Sequence, residues 1–264
     1  VIINRILQFI FVTCVIGILY IIFNNGALSA GQIFYRTDFK LEREEALAIA
    51  DIATARTFQG EINADYPVHF YSFNAKKGDA ITTRIYIPRL PNQEQLSPVL
   101  ALMGEGLPNP GPSQLAGLPF TLPRNYGLII SEADPTNDPL ERPKFDEPYT
   151  QTGYFEGQSI ARDLPQDGTF YLVVFTRKAQ SGKYALSVGS NTEVGIKETL
   201  FFPVTWLRLK VWYGQAIAVV ILLLIIVVVI GVSVAITSQF APLKIAQPGD
   251  TELTGNPTHQ RDTV

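Results

Sequence analysis

The 264-residue sequence predicts an all-β sandwich of jelly-roll-like type, held on the extracytoplasmic side of a membrane and flanked by two transmembrane α-helices. Three observations lead there. Two stretches near the ends carry almost no charge, and each is long enough to cross a bilayer as a helix. Between them lie short aromatic and β-branched runs punctuated by glycine and proline, the pattern of an antiparallel sandwich. Charged residues make up 17% of the chain, against about 25% in an ordinary soluble domain, and mean hydropathy is +0.15.

Residues 1–25 form the first expected helix. Its apolar run from Ile6 to Phe23 follows Arg5 and ends at Asn24-Asn25-Gly26, and at 1.5 Å per residue it covers about 27 Å. A cleaved signal peptide has a shorter apolar region of roughly 7–15 residues, so an uncleaved signal anchor is expected. Residues 26–56 read as a linker with a short helix in Leu41–Ala50, where helix formers alternate with charges.

Residues 57–198 are expected to be the sandwich. Pro67–Phe73 is aromatic and β-branched and stops at the polar turn Ala75–Asp79. Ala80–Ile87 places Ile81, Thr83, Ile85 and Ile87 on one face, a period of two. Val99–Met103 is a third strand, and Phe170–Phe175 with Tyr184–Val188 are read as a closing hairpin around Ala179–Lys183. Residues 104–149 hold nine prolines, which cannot sit in central strands, so only Tyr126–Ser131 reads as strand there. A loop of that length inside a compact domain is a candidate recognition element.

Residues 199–213 read as an interfacial amphipathic segment. Trp206, Trp212 and Tyr213, with Arg208 and Lys210 among them, have the apolar bodies and polar tips of membrane-interface anchors. Residues 214–238 are the second expected transmembrane helix, uncharged over the 22 residues from Ala216 to Thr237. Within it, Gly231 and Ala235 form a small-xxx-small pattern suited to helix packing. Residues 239–264 read as a disordered tail, rich in proline, glycine and polar residues. Two spans place both termini on the same side, here the cytoplasmic one.

The strings HFYSFNAKKGDAITTRIYIP, SPVLALMG and ARDLPQDGTFYLVVFTRKAQSGKYALSV resemble the bacterial pre-peptidase C-terminal type of domain, a small β-sandwich of secreted and surface proteins. The resemblance covers roughly residues 57–190, and its motifs are structural. It implies a fold and a compartment and no chemistry. The sequence departs from the family in lacking the acidic residues before the middle strand, in its long proline-rich insert, and in its place between two spans. The family's ligand binding is therefore not carried over.

Chemistry is thinly represented. A pI near 5.5 without basic runs argues against nucleic acid, whose binding needs clustered cations. A single cysteine, Cys14, excludes an internal disulfide and a cysteine zinc site. There is no G-x-S-x-G, HExxH or P-loop, and His69 reads as an ordinary strand residue. The acidic loop residues Glu132, Asp134, Asn137 and Asp138, with Glu141, Asp146 and Glu147 nearby, are oxygen donors that could surround calcium, although proline interrupts the spacing and a solvated acidic loop is the simpler reading. No cofactor or catalytic residue is expected. The expected function is a non-catalytic accessory subunit of a larger bacterial membrane complex, with the lipid bilayer and other integral membrane subunits as partners. The alternative is a membrane-anchored surface module that binds glycan, peptide or calcium through the proline-rich loop, and an exposed aromatic cluster among Tyr126, Tyr149, Tyr154 and Phe155 would favour it. A third class, an enzyme whose carboxylates converge only in space, also stays open.

Overall fold

A computed structural model of the chain describes residues 33–36, 43–134, 136–147, 152–191 and 205–239. The expected first span and nearly all of the expected tail lie outside the described residues. Internal contacts divide the chain into two units, with a boundary between Leu222 and Leu223.

The first unit holds two β-sheets. Sheet A runs in the order β1 (Ile33–Arg36), β3 (Arg56–Ile62), β11 (Gly182–Val188), β5 (Ala80–Pro88), β9 (Thr152–Asp163) and β8 (Lys144–Glu147). Sheet B runs β2 (Leu47–Ala48), β4 (Val68–Ala75), β10 (Gly168–Thr176), β6 (Pro98–Glu105) and β7 (Tyr126–Ser131). Every pairing is antiparallel except those made by the edge strands β1 and β2. The two sheets enclose a core in which Phe58, Ile81, Ile85 and Leu186 of sheet A meet Tyr71, Phe73, Leu102 and Leu172 of sheet B. Ile81, Thr83, Ile85 and Ile87 are all buried, as their period of two requires.

One sequence expectation is corrected. β10 and β11 do not form a hairpin: β10 pairs with β4 and β6 in sheet B, whereas β11 pairs with β3 and β5 in sheet A. The connection over residues 177–181 is a corner between layers. A few extended residues span the roughly 10 Å between packed sheets as readily as they close a hairpin, so loop length alone does not separate the two. The short helix expected in Leu41–Ala50 reduces to a 3-10 turn, Arg43–Glu45, followed by β2.

Two close approaches set the sheet interiors. Gly60 of β3 lies opposite Tyr184 of β11, and a Cβ there would sit 2.6 Å from the tyrosine ring. In sheet B the ring of Phe170 covers Gly104 in the same manner. In each case the missing side chain is the space that a large aromatic occupies in the core.

Sheet B is also apolar on its outer face, where Val68, Phe70, Val99, Ala101, Met103, Val173 and Phe175 are buried. The proline-rich insert supplies the cover. Leu118, Phe120 and Leu122 pack there, and the Phe120 ring stands edge-on to Phe70 and Phe175, with centroids 5.6 Å away in both cases. The insert also contains a short helix, α1 (Pro112–Leu115). It shields the free edge of β7 as well, since the Tyr126 and Leu128 amides donate to the Pro123 and Pro108 carbonyls at 3.1 and 2.9 Å. Prolines accept such bonds yet have no N–H to extend the ladder.

β9 is the longest strand and was not legible in the sequence. Its residues TGYFEGQSIARD have poor strand propensity. It is held by register with β5, running from Ala80↔Asp163 to Pro88↔Tyr154 and interrupted by a bulge between Arg84 and Tyr86.

A helix over residues 205–212, α2, lies on the outer face of sheet A. Leu209, Trp212 and Tyr213 are buried there with Tyr154 and Ala185, alongside Tyr86, Leu90 and Phe145. Its end is a Schellman motif: Gly214, at φ +84°, donates to the Val211 carbonyl (3.0 Å), and Gln215 donates to Lys210 (2.8 Å). The chain then enters α3 (Ala216–Gln239), a 24-residue helix without a charged side chain. The longest unbroken run of described side chains in α3 is 223–232. Among the described residues no helix is long and apolar enough to cross a membrane.

Replacing Gly60 by alanine should drive a Cβ into the Tyr184 ring and lower unfolding stability by about 1–3 kcal/mol, the cost of overpacking a core. Urea unfolding of G60A against wild type reads this directly. Alanine at Gly78, whose surroundings are open, forces only a left-handed backbone and should cost less.

Candidate binding cleft

The acidic loop opens onto a cleft of the sandwich about 830 Å³ in volume. Its walls come from four places in the chain: the start of β6 at Ser97 and Val99, the loop residues Glu132–Asp134, Asn137–Pro139 and Arg142, the middle of β9 at Glu156–Gln158, and the corner at Arg177–Gln180. The start of β6 in sheet B lies near the middle of β9 in sheet A, and one side chain ties them. With its amide oriented to satisfy both neighbours, Gln158 donates to the Pro98 carbonyl (2.6 Å) and accepts from the Ala133 amide (3.0 Å). Gln180 fastens the opposite wall, accepting from the Ser97 amide at 3.1 Å and donating to the Gln95 carbonyl at 2.8 Å.

The carboxylates of the cleft are committed to holding its shape. Glu132 accepts from Arg177 Nε at 2.9 Å, while Arg177 Nη1 donates to the Ala116 carbonyl at 2.6 Å. One guanidinium thus joins both halves of the proline-rich insert to the end of β10. Asp134 Oδ1 accepts from the Thr136 hydroxyl (2.6 Å) and amide (2.9 Å), and these bonds hold its pKa below the usual carboxylate range. Asp138 caps the 3-10 turn Pro139–Glu141 through the Leu140 amide at 2.9 Å, and Glu156 is paired with Arg84.

The calcium candidates Glu132, Asp134, Asn137 and Asp138 therefore line one cleft. Among the described residues, however, no three acidic, histidine or cysteine side chains gather closely enough to hold a metal ion. Of the other carboxylates noted in the sequence, Asp146 is paired with Arg89 across the sheet edge, and Glu147 is buried beneath α2. The expected exposed aromatic cluster does not form: Tyr154 and Phe155 are buried, Tyr126 is half-buried, and Tyr149 lies outside the described residues. Both buried rings belong to β9, whose strand character the sequence hid.

His69 sits between the sheets with no exposed surface. Its Nδ1 shares a 2.5 Å hydrogen bond with the Tyr184 hydroxyl, which shares a second of 2.8 Å with Tyr71. Burial pulls the His69 pKa down to about 4, offset in part by the Tyr66 backbone. The same burial raises both tyrosines. This is a structural hydrogen-bond chain within the core, closed to substrate.

The membrane-interface candidates divide. Trp212 and Tyr213 are buried against sheet A, and Lys210 is buried with its Nζ 2.8 Å from Gln215 Oε1. Tyr213 donates to the Gly153 carbonyl, and Lys183 Nζ donates to the Trp212 carbonyl at 2.7 Å. These aromatic groups find a protein surface to bury on rather than an open face. Trp206 is half-buried with Lys210 over its ring, and Arg208 is exposed. Beyond the backbone of its own helix and its chain neighbours, a side chain at Gly231 would meet no described atom within 4 Å, and the side chain of Ala235 lies outside the described set.

Two outcomes follow. The unfolded chain takes up a proton on His69 below pH 6.5 that the folded chain refuses until about pH 4. Its contribution is therefore intact above pH 6.5 and is lost as pH falls, by about 2 kcal/mol between pH 7 and 5. Urea midpoints at those two pH values should show that loss, and H69Q should remove it. Calcium or a chelator should leave the thermal midpoint in place, because a site linked to folding would move it.

No family model matches this chain, and no curated protein matches it. Solved structures do. The chain is similar over 58% of its length to 99% of the pre-peptidase C-terminal domain of a collagenase from Bacillus anthracis, at 15% identity and a TM-score of 0.30. It is similar over 60% to 96% of PliG, a periplasmic inhibitor of g-type lysozyme from Aeromonas hydrophila, at 14% and 0.28. It is similar over 61% to all of CorA, a surface-associated copper-binding protein of Methylomicrobium album, at 10% and 0.27. The first is the domain type that the strand motifs of this sequence resemble. The two-sheet sandwich itself rests on the strand order described above.

Proposed function

We propose that the protein is a membrane-anchored accessory subunit, non-catalytic, that holds its β-sandwich on the extracytoplasmic face of a larger membrane complex. The observation that carries the reading is α3. Its described side chains are apolar and most are exposed, with Ile217 77%, Val220 54%, Val227 64% and Val234 60% accessible and Ile226 and Val229 half-buried. A helix apolar all round needs apolar surroundings. Its 24 residues extend about 36 Å, against a hydrocarbon thickness of about 30 Å.

In this reading residues 214–238 cross the bilayer, residues 1–25 supply the other anchor, and both termini are cytoplasmic. Gly231 and Ala235 give partner helices a close approach. The docked α2 supports an anchoring role, because Trp212, Tyr213 and Lys183 tie the segment preceding the span to sheet A. Arg208 and Trp206 are then the side chains nearest the lipid headgroups.

Purification of the untagged protein in mild detergent, followed by a native gel and mass identification, tests this. A stoichiometric set of integral membrane proteins should travel with it, and leucine at Gly231 and Ala235 should loosen that association. Migration as a lone monomer or homodimer would overturn the subunit reading. A second reading, a membrane-anchored surface module for a polar ligand such as glycan or peptide, is favoured by one observation: the 830 Å³ cleft with its charged and amide walls.

A further inference from the structure

The four carboxylates on the cleft walls each have a protein partner, whereas two of its three cations have no carboxylate partner among the described residues. Arg177 is taken by Glu132. Arg142 donates through Nη1 to the Leu96 carbonyl at 2.8 Å, and its Nη2 is shut off from solvent with no acceptor. Burial lowers the Arg142 pKa, and no carboxylate offsets the effect. Lys178, on the corner between β10 and β11, makes no ion pair among the described residues. A guanidinium that has lost water without gaining a counter-ion is an unmet demand for an anionic acceptor.

We propose that the cleft binds its ligand through a carboxylate group seated on Arg142 and Lys178. The inference rests on the second reading above and gives that cleft a ligand class. Arg142 brings a half-buried positive charge without a carboxylate partner to the cleft wall, and the lysine adds a mobile point charge. Charge balance separates a carboxylate from a phosphate. With Glu132 taken by Arg177 and Glu156 by Arg84, Asp134 and Asp138 stand on the walls against Arg142 and Lys178, so a dianion is repelled more strongly than a monoanion. The amide side chains of Gln158 and Gln180 on those walls favour a peptide-like body behind the carboxylate.

Calorimetric titration of the full chain in detergent micelles tests the assignment with diglycine, glycylglycinamide and inorganic phosphate as probes. Diglycine should bind saturably, with glycylglycinamide at least tenfold weaker and phosphate unable to displace diglycine. K178Q, an exposed substitution that leaves the fold alone, should weaken diglycine about tenfold, and R142Q should weaken it further. Equal binding of diglycine and its amide, unchanged affinity in both variants, or tighter binding of phosphate would overturn the carboxylate assignment while the cleft remained a binding site. Failure of all three probes to bind at about 10 mM, a free energy near the bottom of the measurable range, would overturn both.

Discussion

Sheet B is apolar on both faces, and much of the rest of the molecule answers to that constraint. β10 lies near its centre, with Phe170, Leu172 and Val174 turned toward sheet A and Val173 and Phe175 turned away. A sandwich ordinarily leaves its outer faces to solvent. Here the outer face needs a third layer, and the insert after β6 provides it by placing Phe120 between Phe70 and Phe175. Its prolines belong to the same solution, since their carbonyls satisfy the edge of β7 without offering a donor for further pairing.

The polar groups are arranged around that layering. Where the insert leaves β7, Arg177 at the end of β10 draws Glu132 and Ala116 together and so sets the mouth of the cleft. Deeper in, the His69–Tyr184–Tyr71 chain spans the two sheets, and Gly60 makes room for Tyr184. Buried polar groups are costly unless bonded, and a satisfied network restricts how one sheet can slide on the other. The cleft differs from this core network in one respect: its carboxylates are all engaged, while two of its cations have no carboxylate partner among the described residues.

Sheet A has its own cover in α2, and this changes the meaning of the aromatic residues near the C-terminal apolar helix. Tryptophan and tyrosine beside an apolar run suit a membrane interface, but the same amphipathic shape suits a protein groove. Trp212 and Tyr213 take the groove, with Lys183 completing the attachment from β11. The Schellman turn at Gly214 then ends α2 and allows α3 to begin afresh.

The sequence by itself determined the sandwich class, the strands with strong alternation or unbroken apolar character, and the apolarity of the C-terminal helix, because these are properties of local residue pattern. β4, β5, β6, β7 and β10 lie within a few residues of their expected places. Tertiary structure decided what local pattern does not encode. It placed β10 and β11 in different sheets, because a five-residue connection serves a hairpin and a corner equally. It made a strand of Thr152–Asp163, whose glycines and amides have little strand preference until β5 supplies partners. It buried Tyr154 and Phe155, removing the aromatic surface their sequence position suggested. The acidic loop was legible as a cluster, but which carboxylates were already paired was not. Arg177 lies 45 residues from Glu132, and only folding brings the two together to leave Arg142 and Lys178 without a counter-charge among the described residues.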